Sequence, residues 1–292
     1  MRSRALLRAS PATLRASPAM SLAADRAAGA AFRLLFVMSV LFLVLPVIVS
    51  VLLSFDNRQF LGPFPPAQFS LRWYRAFFDN PAYLDGLIVS LKLAVISTAI
   101  STVTGACAAY VLSLGRWPGR DTMEMLFLSP KFVPTVVIGF SMLGFASAIQ
   151  VFDPFSRLIM GHVVITLPFT VRATLASLIG IRRSLVEAAI SLGAPPWRAF
   201  LDVTLPLART GIVAGGLMAF VLSFDEVAVS LFLSDAFTQT LPIALVAEMR
   251  ANLNLTVAAV STVFAAVTVL IVFFLDRAVG LDRVIGQGIY RG

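Results

Sequence analysis

Four stretches of this chain, 34–55, 93–114, 132–152 and 253–275, run without a single charged residue. A helix needs about 20 apolar residues to cross the hydrocarbon core of a bilayer. Two further stretches, 158–179 and 210–234, are comparably long but interrupted, the first by Arg172 and the second by Asp225 and Glu226. Six spans put both chain ends on one side. Composition agrees: of 292 residues, 59% are hydrophobic and 13% charged, against about 25% charged in an ordinary soluble domain. The expected fold class is an all-α membrane protein with six transmembrane helices.

The net charge of +8 does not call for nucleic acid, because membrane proteins concentrate Lys and Arg in cytoplasmic loops. With the N-terminus inside, the segments 1–33, 115–131, 180–209 and 276–292 hold fifteen arginines. The outer segments hold five: Arg58, Arg72, Arg75, Arg157 and Arg250. Both termini are therefore expected in the cytoplasm. Residues 1–30 read as a basic, disordered tail, with Met20 an alternative start. The first apolar block is too long for a signal core and lacks a small-residue cleavage site, so it is expected to stay as a membrane helix. A six-helix domain is expected over 31–285 and a short cytoplasmic tail over 286–292.

The aromatic-rich stretch Trp73, Tyr74, Phe77, Phe78 in the outer loop suits a short helix at the membrane interface. Lys131 and Arg172 are expected to snorkel to the interface. Gly211 and Gly215 have the small-xxx-small spacing that lets helices approach closely. With one Cys (Cys107) and one His (His162), no disulfide or metal cluster is expected. His162 reads as a packed, hydrogen-bonded histidine.

The inner loop 180–206 has a pattern of its own. Ser184 with Glu187 three residues later matches a capping box. Gly193 suits a left-handed helix end. Pro195 and Pro196 fit the first turn of a second helix, which is expected to close before Pro206. The outcome is a helix-turn-helix elbow outside the membrane, with small alanines that let another protein come close. Glu187-Ala188-Ala189, three residues, Gly193, nine residues and then Val203-Thr204-Leu205-Pro206 resemble the EAA motif of ABC importer permeases. The one departure is Val for Ile at 203. The stretches around Trp73, Ser129-Pro130, His162 and Ser223-Phe224-Asp225-Glu226-Val227 resemble the spermidine/putrescine branch of that family.

The resemblance implies a permease of the type I importer kind, holding half of a translocation pathway in the bacterial inner membrane. It implies a coupling helix docked on a separate cytoplasmic ATPase dimer, with Glu187, Ala188, Ala189, Gly193, Leu205 and Pro206 carrying the contact. It also implies a second, non-identical permease subunit, a periplasmic solute-binding protein and no cofactor. The implied cargo is putrescine or spermidine, with thiamine, iron or sulfate as alternatives.

Charge inside a span costs about 2.5 kcal/mol or more, which makes Asp225 and Glu226 candidates for the solute pathway. On one helix, adjacent residues point about 100° apart. One would then face the route and the other a partner subunit or a structural ion pair, for example with Lys131. A membrane enzyme and a self-sufficient secondary transporter are the competing classes. No Ser-His constellation, paired histidines or metal motif supports the first, so no catalytic residue is expected, and with no glycine-lysine phosphate loop ATP binding is expected in the separate ATPase. No convincing internal repeat supports the second.

Overall fold

The computed structural model describes residues 18–60, 62–66, 68–115, 117–251 and 254–279. Two compact units, 1–50 and 51–292, divide the chain. In its described part the first is the body of α1 (Pro18–Ser54). Apolar side chains of this helix are exposed, Phe42 at 78%, as expected of a helix solvated by lipid. The basic tail is helical from Pro18 onward, where disorder was expected, and its residues 1–17 lie outside the described residues, as does the boundary at 285.

In the second unit the helices are α2 (Arg72–Asp79), α3 (Pro81–Ser113), α4 (Arg120–Leu128), α5 (Thr135–Ala148), α6 (Pro154–Ile179) and α7 (Arg183–Ser191). They continue as α8 (Pro196–Ala199), α9 (Leu205–Phe224), α10 (Ala228–Leu233), α11 (Leu241–Ala251) and α12 (Thr256–Val279). Two starts are set by their sequence. Asn80 caps α3, its side chain accepting from the Ala82 amide at 3.0 Å, and Asp153 caps α6 through the Ser156 amide at 2.7 Å. Each is followed by a proline suited to the first helical turn.

Five helices are long and apolar enough to cross a bilayer: Ala28–Ser54, Pro81–Ser113, Pro154–Ile179, Pro196–Phe224 and Thr256–Phe274. The third expected span, 132–152, is not one straight helix. Arg120–Phe132 and Thr135–Ala148 meet at 107°. Pro134 explains the bend: it forces Val133 into extended backbone, with φ −93° and ψ 132°, and cannot donate to a continuing helix. The fifth expected span also breaks, because α9 ends at Phe224 and α10 begins at Ala228.

The centre of this unit is α3, α6 and α9 packed on one another. Small residues make the approach possible. A Cβ on Gly211 would collide with Ser177 and stand 2.5 Å from the Ala173 carbonyl, and one on Gly215 would stand 2.9 Å from Thr170 Cα. The expected small-residue seam therefore lies against α6. Hydroxyls lace the neighbouring contact of α3 with α6: Ser101 pairs with Thr166 at 2.6 Å, and Thr170 donates to the Ser101 carbonyl at 2.8 Å. Each such bond inside a membrane contributes about 0.6 kcal/mol.

The loop between α1 and α2 is tied down by a buried carboxylate. Asp56 forms an ion pair with Arg58, and the Asp56 carbonyl accepts from Trp73 Nε1 at 2.8 Å. The Arg58 guanidinium holds the Asp56 carboxyl below the usual carboxylate range. Trp73 and Phe77 are buried against the protein, not spread on a lipid surface, while Phe78 is exposed.

Candidate functional site

The elbow stands where the spacing places it, with two differences in its construction. Helix α7 starts one residue after Arg182, whose extended backbone (φ −68°, ψ 121°) sets the N-cap without a side-chain bond. Ser184 is two positions too far along to cap, so the expected capping box does not form. The far end follows expectation. Gly193 is left-handed at φ 91°, its amide donates to the Ile190 carbonyl at 2.9 Å, and the Ala194 amide donates to the Ala189 carbonyl at 3.1 Å. These two bonds are the paired closure of a Schellman motif.

The second arm does not close before Pro206. It runs from α8 through a π-turn at Phe200–Thr204 straight into α9. The wide turn, closed by the Leu205 amide on the Phe200 carbonyl, lets the chain pass Pro206 in helical form even though that residue lacks an amide hydrogen. Leu205 and Pro206 thus open α9 and are not part of the elbow's tip.

Glu187, Ala188 and Gly193 are exposed and Ala189 is half-buried. No residue of α7 is buried. Around them lie apolar side chains with nothing over them: Leu192 is 90% and Trp197 59% exposed. Outside a bilayer, a cluster like this marks a surface that another protein covers. Behind α7 a cavity of about 400 Å³ separates Glu187 and Arg183 from Tyr110 and Thr204. The arm is anchored by Phe200, whose ring lies 4.4 Å from that of Tyr110.

Asp225 and Glu226 occupy the break between α9 and α10, not a continuous helix, so the 100° argument does not apply to them. Their environments differ. Glu226 accepts from the Val229 amide at 3.1 Å, satisfying one of the orphan donors at the start of α10. Asp225 is exposed and forms no salt bridge among the described residues. Lys131 pairs with neither carboxylate. It is exposed beside the other break, its ammonium 5.5 Å from the centre of the Phe169 ring.

The elbow and the break sit at opposite ends of one rod. Helix α9 has 20 residues, which at 1.5 Å per residue separates them by about 30 Å, the thickness of a bilayer core. His162 is packed and hydrogen-bonded, as expected: its ring is fully buried and reaches Ser223 of α9 and Ser230 of α10. What the sequence pattern did not mark is that these partners lie on either side of the two charges.

Membrane-length helices, one span bent at Pro134 and another broken at Asp225 and Glu226, and an elbow projecting between spans define a polytopic membrane protein. The family described as "binding-protein-dependent transport system inner membrane component" matches residues 101–281, and the chain belongs to it. Among curated relatives, the spermidine/putrescine permease PotC of Shigella flexneri is 26% identical over 247 residues, 85% of this chain and 92% of that protein. The putrescine permease PotI of Escherichia coli K12 is 29% identical over 228 residues, 76% and 80% of the two chains. The trehalose permease SugB of Mycobacterium tuberculosis is 28% identical over 173 residues, 59% and 63%. Of solved structures, a bacterial ABC transporter that imports the polysaccharide alginate has TM-score 0.73 at 14% identity, covering 90% of this chain and 98% of that one. The MetNI methionine transporter has TM-score 0.57 at 21% identity, covering 67% and 94%. The protein is a multi-pass permease subunit of an ABC importer and not an enzyme.

Proposed function

We propose that this permease carries putrescine or spermidine, forms half of the pathway with a second, different permease, and couples to an ATPase dimer through its elbow. One observation carries the reading: α9 joins the exposed elbow at one end to the Asp225 carboxylate, exposed and in no salt bridge among the described residues, at the other. Motion imposed on Glu187, Ala188, Ala189 and Gly193 by closing ATPase subunits would pass through Leu205 and Pro206 along α9 to the carboxylate. A polyamine sheds part of its water on entering a membrane route, and its ammonium groups then need anionic or hydrogen-bonding partners. Asp225 supplies one. Polyamine permeases among the relatives support the cargo. The periplasmic binding protein delivers it, and both termini of the permease lie in the cytoplasm by the distribution of arginines.

The test is to purify the tagged chain from membranes in mild detergent and identify what comes with it. An ATPase and a second permease support the coupled reading, and calorimetry of the accompanying binding protein with putrescine and spermidine supports the cargo. Binding of thiamine, iron or sulfate instead keeps the importer and reassigns its solute. A chain recovered alone and active in vesicles without ATP overturns the coupling.

A further inference from the structure

The break at Asp225 contains neither proline nor glycine, so its shape must come from elsewhere. His162 of α6 lies across it. One ring nitrogen, Nδ1, is 2.8 Å from Ser223 Oγ in the last turn of α9. The other, Nε2, is 3.0 Å from Ser230 Oγ in α10. All three side chains are at most 2% exposed. Proton bookkeeping fixes the direction of each bond. Ser230 donates its only proton to the Glu226 carbonyl at 3.0 Å, so its oxygen accepts from His162 Nε2–H. No carboxylate lies within ion-pair distance of the ring among the described residues, and the site holds the neutral imidazole. Nδ1 then accepts, and Ser223 donates to it. Ser97 of α3, 2.8 Å from Ser223, spends its proton on the Leu93 carbonyl at 2.6 Å. The α3 link is therefore one proton short, and α6, α9 and α10 form the complete set.

We propose that His162, as the Nε2–H tautomer, is a positioning residue that staples the two sides of the break and so fixes where Asp225 stands in the pathway. Among the side-chain hydrogen bonds of the described residues, the ring joins the end of α9 to α10, and the Ser230–Glu226 bond extends the hold into the break itself. For its functional consequence this inference rests on the reading of Asp225 as a pathway group. The staple itself does not.

The experiment uses the complete importer in proteoliposomes, with putrescine as the probe, and measures putrescine imported per ATP hydrolysed. Loss of two buried hydrogen bonds in His162→Leu should lower that ratio roughly fivefold. His162→Gln keeps a donor and an acceptor at similar spacing and should restore most of it. A merely structural defect would lower uptake and ATP hydrolysis together and leave their ratio unchanged.

A second readout needs no solute. Cys107 is the one cysteine, so Val227→Cys in a Cys107→Ser chain is the only target for a membrane-impermeant maleimide. His162→Leu should raise its labelling rate roughly fivefold by loosening the break. Native labelling and a native ratio in the Leu variant would overturn the proposal. If that variant does not insert, Ser223→Ala and Ser230→Ala decide on the same two readouts, native values in both again overturning it. Wild-type complexes that import no putrescine would overturn the polyamine assignment, while labelling would still judge the staple.

Discussion

Gly193 shows how one backbone angle carries a functional surface. At φ 91° an L side chain costs roughly 1–2 kcal/mol, and a Cβ there would meet nothing within 4 Å. Gly193→Val should therefore distort only the turn between α7 and α8. We expect the variant to insert and fold but to uncouple, with ATP-driven uptake falling well below half of native at equal membrane abundance. Native uptake would count against the elbow. Asp225→Asn removes a charge that no other described residue uses, so uptake of a cationic solute should fall several-fold with little change in thermal stability. Glu226→Gln, which keeps an acceptor for the Val229 amide, should be milder in the same assay. Asp56 makes a pH-dependent prediction. Its carboxyl is held below the ordinary value by Arg58, so the clasp contributes fully above about pH 4 and is lost as pH falls through the lowered value. Fluorescence of Trp73, with Trp117 and Trp197 replaced by Phe, should report loosening in that acid range, and Asp56→Asn should loosen it already at neutral pH.

Helices differ in how plainly their residues announce them. Apolar blocks, the one over α6 interrupted by Arg172, predicted the positions of α3, α6 and α12 to within a turn or so at most ends, although α3 starts 12 residues before its apolar block. Pro134 stood near the start of the third block, and hydropathy alone hid the bend it causes. The break after Phe224 was less accessible. Its flanks are apolar, and a pair of charges reads equally as an intrusion into a helix or as its end. Which of the two it is depends on His162 and its serines, residues more than 60 positions apart. The capping box at Ser184 failed for a simpler reason: the right residues are present, but the helix begins before them. By contrast, Gly211 and Gly215 were informative because spacing alone sets which face they share. Gly211→Leu would drive a side chain into the Ala173 carbonyl and Ser177, an overpacking worth about 1–3 kcal/mol. Thermal unfolding in detergent should show a midpoint several degrees below native, and an unchanged midpoint would mean α6 and α9 are not apposed as described.

The assembled protein was legible as a class well before its parts were. Length, charge distribution and one spaced motif were enough to anticipate a six-span importer permease, because the bilayer permits few architectures and the docking loop is constrained at several positions at once. Substrate preference is not written so redundantly, since it rests on a carboxylate or two and on a delivering protein encoded elsewhere. The orientation can be checked directly. Reporter fusions that are active only in the cytoplasm should be active when placed after residue 190 and inactive when placed after residue 60. The opposite pattern would invert the protein and put the elbow out of reach of any ATPase.

The π-turn at 200–204 bears on how such a machine resets. A wide turn holds one residue more than an α turn. Relaxing it to α geometry while the elbow stays put would rotate every side chain of α9 by about 100° and advance the helix about 1.5 Å. Asp225, at the far end, would swing through that same arc only if Ser223 parted from His162 and the Gly211–Gly215 seam from α6. The helix would then behave as a camshaft, its setting held by a single surplus residue beside the elbow.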